Sequence, residues 1–379
     1  EIRYVGGCVR KIINREEVDD IDLATNLPPN QAGEALKKHN INYYETGIDY
    51  GTITAIVDEQ IFEITTLRED IVTDGRHAKV KFSKNWKEDS LRRDFTINSI
   101  YSDCDGNLFD PHNGKKDIEN GEINFIGNPN QRIKEDYLRI LRYLRFFVSY
   151  SKLPHNPEII KNLKINISGV SDLSKERLLN ELKKIAELSL LEKLSKDKIG
   201  LELYKIIYPE LKNIKIFSKI DSTKKKLLSN FDFILLISLM IIDETDNADY
   251  FLYRFNISKN DQKRIKIIDN FFKNNSHSKL LTENHMNKIF YYDGKQAVLD
   301  ILYFKLVKIR NSDKNLEELI EIFKKKITPK MPVGADILMT KYNIPEGKQL
   351  GLKLKLIEEE WVKNNFQISD IRIDSIINS

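Results

Sequence analysis

Hydrophobic positions follow a mixed rhythm over the first 120 or so residues and an almost wholly helical one from about residue 126. Residues 2–5 (IRYV) read as a strand, and Val9, Ile12 and Ile13 follow at helical spacing. The β-rich runs 52–57 (TITAIV) and 61–67 (IFEITTL) are separated by Asp58, Glu59 and Gln60, which predicts a hairpin. Residues 68–88 lack a clear period and read as a long loop, after which 89–102 resume a helical pattern. Further on, Ile133, Tyr137, Ile140, Leu141, Leu144, Phe147 and Val148 make one apolar face over several turns. Residues 174–187 repeat this, with Ser174 as N-cap and Glu176 in the first turn. A late helix carries Leu350, Leu354, Ile357 and Trp361 after the breakers Pro332, Gly334, Pro345 and Gly347. An α/β head of about 120 residues with a long helical arm is the expected plan, with the active site in the head and at its junction with the first long helix.

Composition narrows this little. The 379 residues suffice for several domains, and 41% hydrophobic with 31% charged residues suits a soluble globular protein. No run approaches the roughly 18 apolar residues that span a bilayer, and the N-terminus shows no secretory signal pattern. Two cysteines, Cys8 and Cys104, are too few for a disulfide framework and lack metal-site spacing, which fits a reducing cytosol and a cytoplasmic protein. Net charge is only +4, which taken alone favours a bland reading over nucleic-acid binding; the lysines of the C-terminal half could be a solvated helix face or a track for a phosphate backbone. The chain opens at Glu1 on a strand-like segment, so an initiator Met and an opening segment are expected to be missing.

The candidate chemistry begins at GGCVRK…DDIDLAT. On a strand, Asp20 and Asp22 share a face while Ile21 and Leu23 go to the core. Two close carboxylates repel unless a cation joins them, and hard oxygen donors suit Mg²⁺ with substrate phosphates completing its shell. In isolation the pattern is only a polar strand end. Gly6-Gly7, which let a backbone approach phosphate oxygens, and Arg10 in the following helix change the weight. Together they suggest nucleotidyl transfer with a two-metal clamp. Glu63, on the candidate hairpin, is either a third carboxylate or an exposed strand glutamate. In RRDFTIN, Asp94 and Asn98 are helix neighbours at i, i+4. Arg93 there could reach a triphosphate and Asp94 a ribose hydroxyl. In EDYLRILRYLR, Asp136 and Arg139 are neighbours at i, i+3, with Arg142 and Arg145 further along the same helix. An aspartate accepts from an exocyclic amine and an arginine offers forked donors, so such a helix could read a nucleobase edge without a template. Alone, the helix reads as a charged solvent face.

These stretches, with GIDYGT (47–52), EITTLRED (63–70), DGRHA (74–78) and DPHNGKKD (110–117) in order, resemble the class II tRNA nucleotidyltransferases. That family comprises the CCA-adding enzymes and the related bacterial poly(A) polymerases. The resemblance is strong from Tyr4 to about residue 190 and weaker to residues 334–362. It implies an α+β fold with a polymerase-β-like nucleotidyltransferase head, a mixed sheet with helices, followed by an all-α neck, body and tail. The expected bounds are 1–125 head, 126–190 neck, 191–265 body and 266–379 tail. It also implies roles. Asp20 and Asp22 would hold two Mg²⁺ ions, with Glu63 beside them, and Gly6, Gly7 and Arg10 would take the triphosphate. Arg93, Asp94 and Asn98 would meet the nucleotide, and Asp136 and Arg139 would pair with the base of CTP, then ATP. Glu135, Arg142 and Arg145 would complete the pocket, and the helical part would grip the acceptor arm of tRNA. Residues 67–82, with Arg68, Asp74, Gly75, Arg76 and His77, resemble the family's flexible loop, which favours full CCA addition over a CC-adding specialist. An A-adding specialist would keep that loop. The C-terminal stretch lacks the arginine-rich tail of poly(A) polymerases, and no His-Asp dipeptide suggests an appended phosphohydrolase. A decayed, non-catalytic RNA-binding head would have lost Asp20 and Asp22. A transferase acting on small molecules or proteins has no need of the EDxxR helix. Two departures stand out. Lys11 occupies the place of the family's usual aspartate, and most of what precedes the family's first strand is missing. Oligomeric state is not legible.

Overall fold

The strand at IRYV forms as expected. In the computed structural model, which describes residues 1–73, 78–274, 281–309 and 313–378, it is β1 (Ile2–Val5). Gly6 turns the chain at φ 77° into α1 (Gly7–Ile13), and β2 (Asp22–Thr25) returns antiparallel to β1. After α2 (Pro29–Lys38) come β3 (Asn42–Gly47), β4 (Thr52–Val57) and β5 (Gln60–Thr66). The expected hairpin is β4–β5. Asp58 and Glu59 close it, both at positive φ (48° and 65°), as a two-residue turn matched to strand twist demands.

The described residues of 68–88 do not form one long loop. They contain a separate antiparallel pair, β6 (Arg68–Thr73) and β7 (Ala78–Phe82), and the start of α3 (Trp86–Arg92). A register shift between Asp70 and Val72 breaks the alternation, which is why no period was visible. The helix expected over 89–102 stops at Arg92. Phe95 bridges to Phe125 and the Thr96 amide donates to the Asn124 carbonyl, so tertiary pairing overrides local helical pattern. Only a single 3-10 turn, Thr96–Asn98, follows, then β8 (Tyr101–Ser102) and β9 (Leu108–Phe109). The seven strands run β3-β4-β5-β2-β1-β8-β9. Only β2 and β5 are parallel, so the sheet is mixed. Val5, Ala24, Leu67 and Tyr101 are buried together against Trp86 and Phe109.

Helices take over beyond this point: α4 (Gly114–Asn120), α5 (Pro129–Glu135), α6 (Leu138–Tyr150), α7 (Pro157–Asn166), α8 (Lys175–Ile185), α9 (Leu188–Lys196) and α10 (Lys198–Ile207). Ile133, Ile140, Leu141, Leu144 and Val148 are buried as their period requires. The face is nevertheless split. Asp136 is extended (φ −155°, ψ 107°), and its carboxylate accepts from the Leu138 amide at 3.1 Å to start α6. Ser174 caps α8 as expected, accepting from the Arg177 amide at 3.3 Å.

The chain divides into two compact units, Glu1–Pro209 and Glu210–Ser379. The second is helical throughout its described elements, from α11 (Ser222–Leu228) and α12 (Phe233–Ile241) to the last described helix, Asp370–Asn378. Its α12 is buried nearly all round, and the Lys348–Lys363 helix buries Leu350, Ile357 and Trp361 as the sequence predicts. Among the described residues no helix is long and apolar enough to cross a membrane.

Candidate active site

A cleft of about 1220 Å³ in the first unit gathers residues from α1, the segment before β2, α3 and its exit, α6, α8 and α9. Gly6, Gly7, Arg10, Asp20, Asp22, Arg93, Asp94, Asn98, Asp136, Arg139, Arg142 and Arg145 all line it. Six expected residues are not among them. Glu63 and Glu135 are outside the lining, Arg68 lies on β6 with a guanidinium hydrogen bond to the Tyr50 carbonyl, and Asp74, Arg76 and His77 fall outside the described residues.

The acidic wall is built on strand register. β2 starts at Asp22, so Asp20 is not on a strand with it but in the exposed segment that leads in. Asp22 stands directly beside Glu63 across the parallel β2–β5 pair. Burial raises the Asp22 pKa, and the charges of Asp20 and Glu63 push it the same way against an opposing pull from Arg93. Excess negative charge of this kind is what a divalent cation would relieve, and Asp20 and Asp22 supply the hard oxygen donors it takes. No three ligand side chains converge as a ready-made metal centre among the described residues. Lys11 does not point at an empty anion site: its ammonium pairs with Asp19, which lowers the Asp19 pKa and ties the segment before Asp20 back to α1.

Behind the acids runs a buried polar chain. Arg10 donates to the Asn98 side chain and lies over the rings of Phe146 (4.9 Å) and Tyr150 (5.0 Å). Asn98 donates to Asp94 at 3.1 Å, so the two meet as expected, though across the 3-10 turn and not along an α-helix. Asp94 is 8% exposed and its other oxygen accepts from Arg142 Nε at 2.5 Å. Burial alone would raise the Asp94 carboxyl, but the Arg142 guanidinium wins and holds it at about 2.

On the opposite wall, Asp136 and Arg139 are not helix neighbours. They flank the joint between α5 and α6, and each is engaged elsewhere. Asp136 accepts from Arg177 of α8 at 2.7 Å. Arg139 donates to the Arg132 carbonyl (2.7 Å) and to Glu135 (2.8 Å). Arg145 is held by Glu181, 2% exposed, at 2.8 Å.

The sequence reading missed the residues that do this holding. Arg177 and Glu181 sit at i, i+4 on a helix read only as amphipathic, and a charged residue in register with the buried Leu178 and Leu182 was the available signal. Asp89, wholly buried, was missed as well, although its i+3 and i+4 neighbours are Arg92 and Arg93.

Residues 2–124 match the family described as poly A polymerase head domain. The mitochondrial CCA tRNA nucleotidyltransferase 1 of Homo sapiens is 34% identical over 388 residues, covering 100% of this chain and 86% of that protein. A CCA-adding enzyme of Staphylococcus saprophyticus is 30% identical over 325 residues, 84% of this chain and 76% of its own length. The fold is that of the Bacillus stearothermophilus CCA-adding enzyme, solved in complex with CTP. That structure superposes with a TM-score of 0.74 at 19% identity, covering 100% of this chain and 93% of the other.

Proposed function

This chain belongs to the CCA tRNA nucleotidyltransferase family, and we propose on that premise that it adds C, C and A in turn to the 3′ end of tRNA from CTP and ATP, releasing pyrophosphate. The observation that carries the reading is that one cleft is lined both by Asp20 and Asp22 and by Asp136 and Arg139. A group that polarises a phosphorus centre and a pair that can read a base edge thus face the same volume, with no nucleic-acid template required.

Asp20 and Asp22 would hold two Mg²⁺ ions, with Glu63 adding negative charge behind them. Such ions, when bound, lower the pKa of an attacking hydroxyl and neutralise a triphosphate. The protein's own groups do the rest. Gly6 and Gly7 line the cleft with no side chain to keep a phosphate from the backbone, and Arg10 brings a cation to the same wall. Arg93 takes the nucleotide's anionic oxygens. Asp94, fixed as an anion, holds Arg142 and Asn98 in place at the ribose side. Asp136 accepts from the exocyclic amine that cytosine and adenine both carry, and Arg139 donates to their ring nitrogen or carbonyl. The tRNA 3′-hydroxyl attacks the α-phosphorus and pyrophosphate leaves, lengthening the chain by one nucleotide. The acceptor arm lies along basic residues of the helical part, and the working division is head 1–125, neck 126–190, body 191–265 and tail 266–379.

Transcribed tRNA lacking its 3′ end, given CTP alone, ATP alone and both, tests the reading by product sequencing. Ordered addition of C, C and A followed by a stop is expected. A halt at CC, A-addition only onto CC ends, or a long A tract would reassign the chain within its family. The variant Asp20→Ala is expected to bind tRNA normally and transfer nothing; normal turnover would remove the metal assignment.

A further inference from the structure

The Asp89 carboxylate is wholly buried, yet its partners lead straight to the cleft. Its Oδ1 accepts from the Arg68 amide (3.1 Å) and from Arg92 Nε (2.8 Å). Its Oδ2 accepts from the Tyr101 hydroxyl (2.7 Å) and from Arg93 Nε (3.3 Å) and Nη2 (3.2 Å). The Tyr101 oxygen in turn accepts from Arg93 Nε at 3.1 Å, and the guanidinium lies 5.1 Å from the Tyr101 ring centroid. One edge of the Arg93 fork is therefore fixed by a carboxylate, a phenol and an aromatic face.

Arg93 Nη1 makes no hydrogen bond within the protein among the described residues. It lies over Gly6, where an added Cβ would meet it at 3.7 Å and would meet Asp22 Oδ2 at 3.9 Å. The backbone behind it is also held, because Arg132 donates to the Arg92 and Arg93 carbonyls at 2.6 and 2.5 Å.

We propose that Asp89, with Tyr101, is a positioning residue for nucleotidyl transfer: the pair grips the Nε–Nη2 edge of Arg93 so that Nη1 is presented, ready-oriented, to an anionic oxygen of the bound nucleotide beside Gly6 and Asp22. A free arginine side chain has many rotamers to lose on binding, and a clamped one has already lost them. The carboxylate never touches substrate. The proposal rests on the reading above that Arg93 meets the nucleotide, and it extends the site to residues outside the cleft.

Steady-state addition of the first C to tRNA lacking its 3′ end, with the KM for CTP and kcat separated, tests it in Asp89→Asn, Tyr101→Phe, Arg93→Ala and the two double variants. Asp89→Asn is expected to raise the KM for CTP roughly tenfold, the worth of one charge-assisted hydrogen bond. Tyr101→Phe, which removes one hydroxyl and keeps the fold, is expected to raise it by a few-fold in the same direction. In the Arg93→Ala background neither change should have a further effect, because both act through that side chain. Equal fold-changes with and without Arg93, or an unchanged KM in Tyr101→Phe and in folded Asp89→Asn, would overturn the clamp. Wild-type kinetics in Arg93→Ala itself would instead remove the nucleotide role of Arg93, a separate failure.

Discussion

Asp94→Asn isolates one ion pair in the buried chain behind the cleft. The substitution keeps the oxygen that accepts from the Phe95 amide (2.9 Å) and from Asn98 (3.1 Å), and removes the charge facing Arg142. The Asp94 carboxyl is held at about 2 against a reference of 3.8. At 1.36 kcal/mol per unit that difference is about 2 kcal/mol of folding stability. The sign follows from the direction: a depressed carboxyl contributes above its unfolded value and loses that contribution as pH falls through about 2. The deficit of Asp94→Asn should therefore be constant from pH 8 down to pH 5. Urea unfolding can be followed on Trp86 in a Trp361→Phe background, since the chain has only 2 tryptophans. A loss of about 2 kcal/mol is expected, equivalent to a Tm fall of roughly 4–8 °C for a unit of this size. Half-molar salt should change it little, because Asp94 is buried and a partly buried pair is screened far less than an exposed one. A variant within 0.5 kcal/mol of its parent, or a deficit that shrinks between pH 7 and pH 5, would refute the pairing and the arithmetic built on it.

Asp22→Asn should move stability the other way. Its pKa is raised by burial and by Asp20 and Glu63, so the ionised form destabilises the fold as pH rises through that raised value. Thermal melts at pH 7 should show a higher Tm than wild type, a gap that closes in acid, together with loss of transfer. Arg177→Ala frees the Asp136 carboxylate. Single-nucleotide kinetics should show CTP and ATP losing roughly tenfold in kcat/KM while UTP and GTP lose less, so selectivity narrows. Gly6→Ala places a side chain at φ 77° and ψ −122° with only ordinary contacts around the new methyl, so backbone strain of about 1–3 kcal/mol should appear in unfolding without a steric block.

Local periodicity made much of the scaffold legible. β1, the β4–β5 hairpin, α8 with its cap and the Lys348–Lys363 helix all form where their patterns place them. Errors arose where a non-local contact decides the backbone. The β6–β7 pair hides its alternation in a bulge, α3 yields at Arg92 to the Phe95–Phe125 bridge, and Asp136 leaves the helix to cap the next one. The site divides similarly. Motifs identified the groups that line the cleft because each carries its chemistry within a few residues. The holders Arg177, Glu181 and Asp89 act across 41, 36 and, for Tyr101, 12 residues of sequence, a separation no single-segment pattern encodes.

The joint at Asp136 has a consequence for accuracy. On the proposed reading, the acceptor that meets a base belongs to an extended residue tied to α8, and the donor belongs to α6 but is tied to α5. Neither group swings free: Arg177 holds the acceptor and Glu135 the donor in place before a base arrives. A base therefore meets two groups already spaced by three separate helices and must fit both at once. One that complements a single group leaves a polar edge facing the wrong partner in a half-buried place, and the cost of that mismatch, more than the strength of any right contact, becomes the source of fidelity.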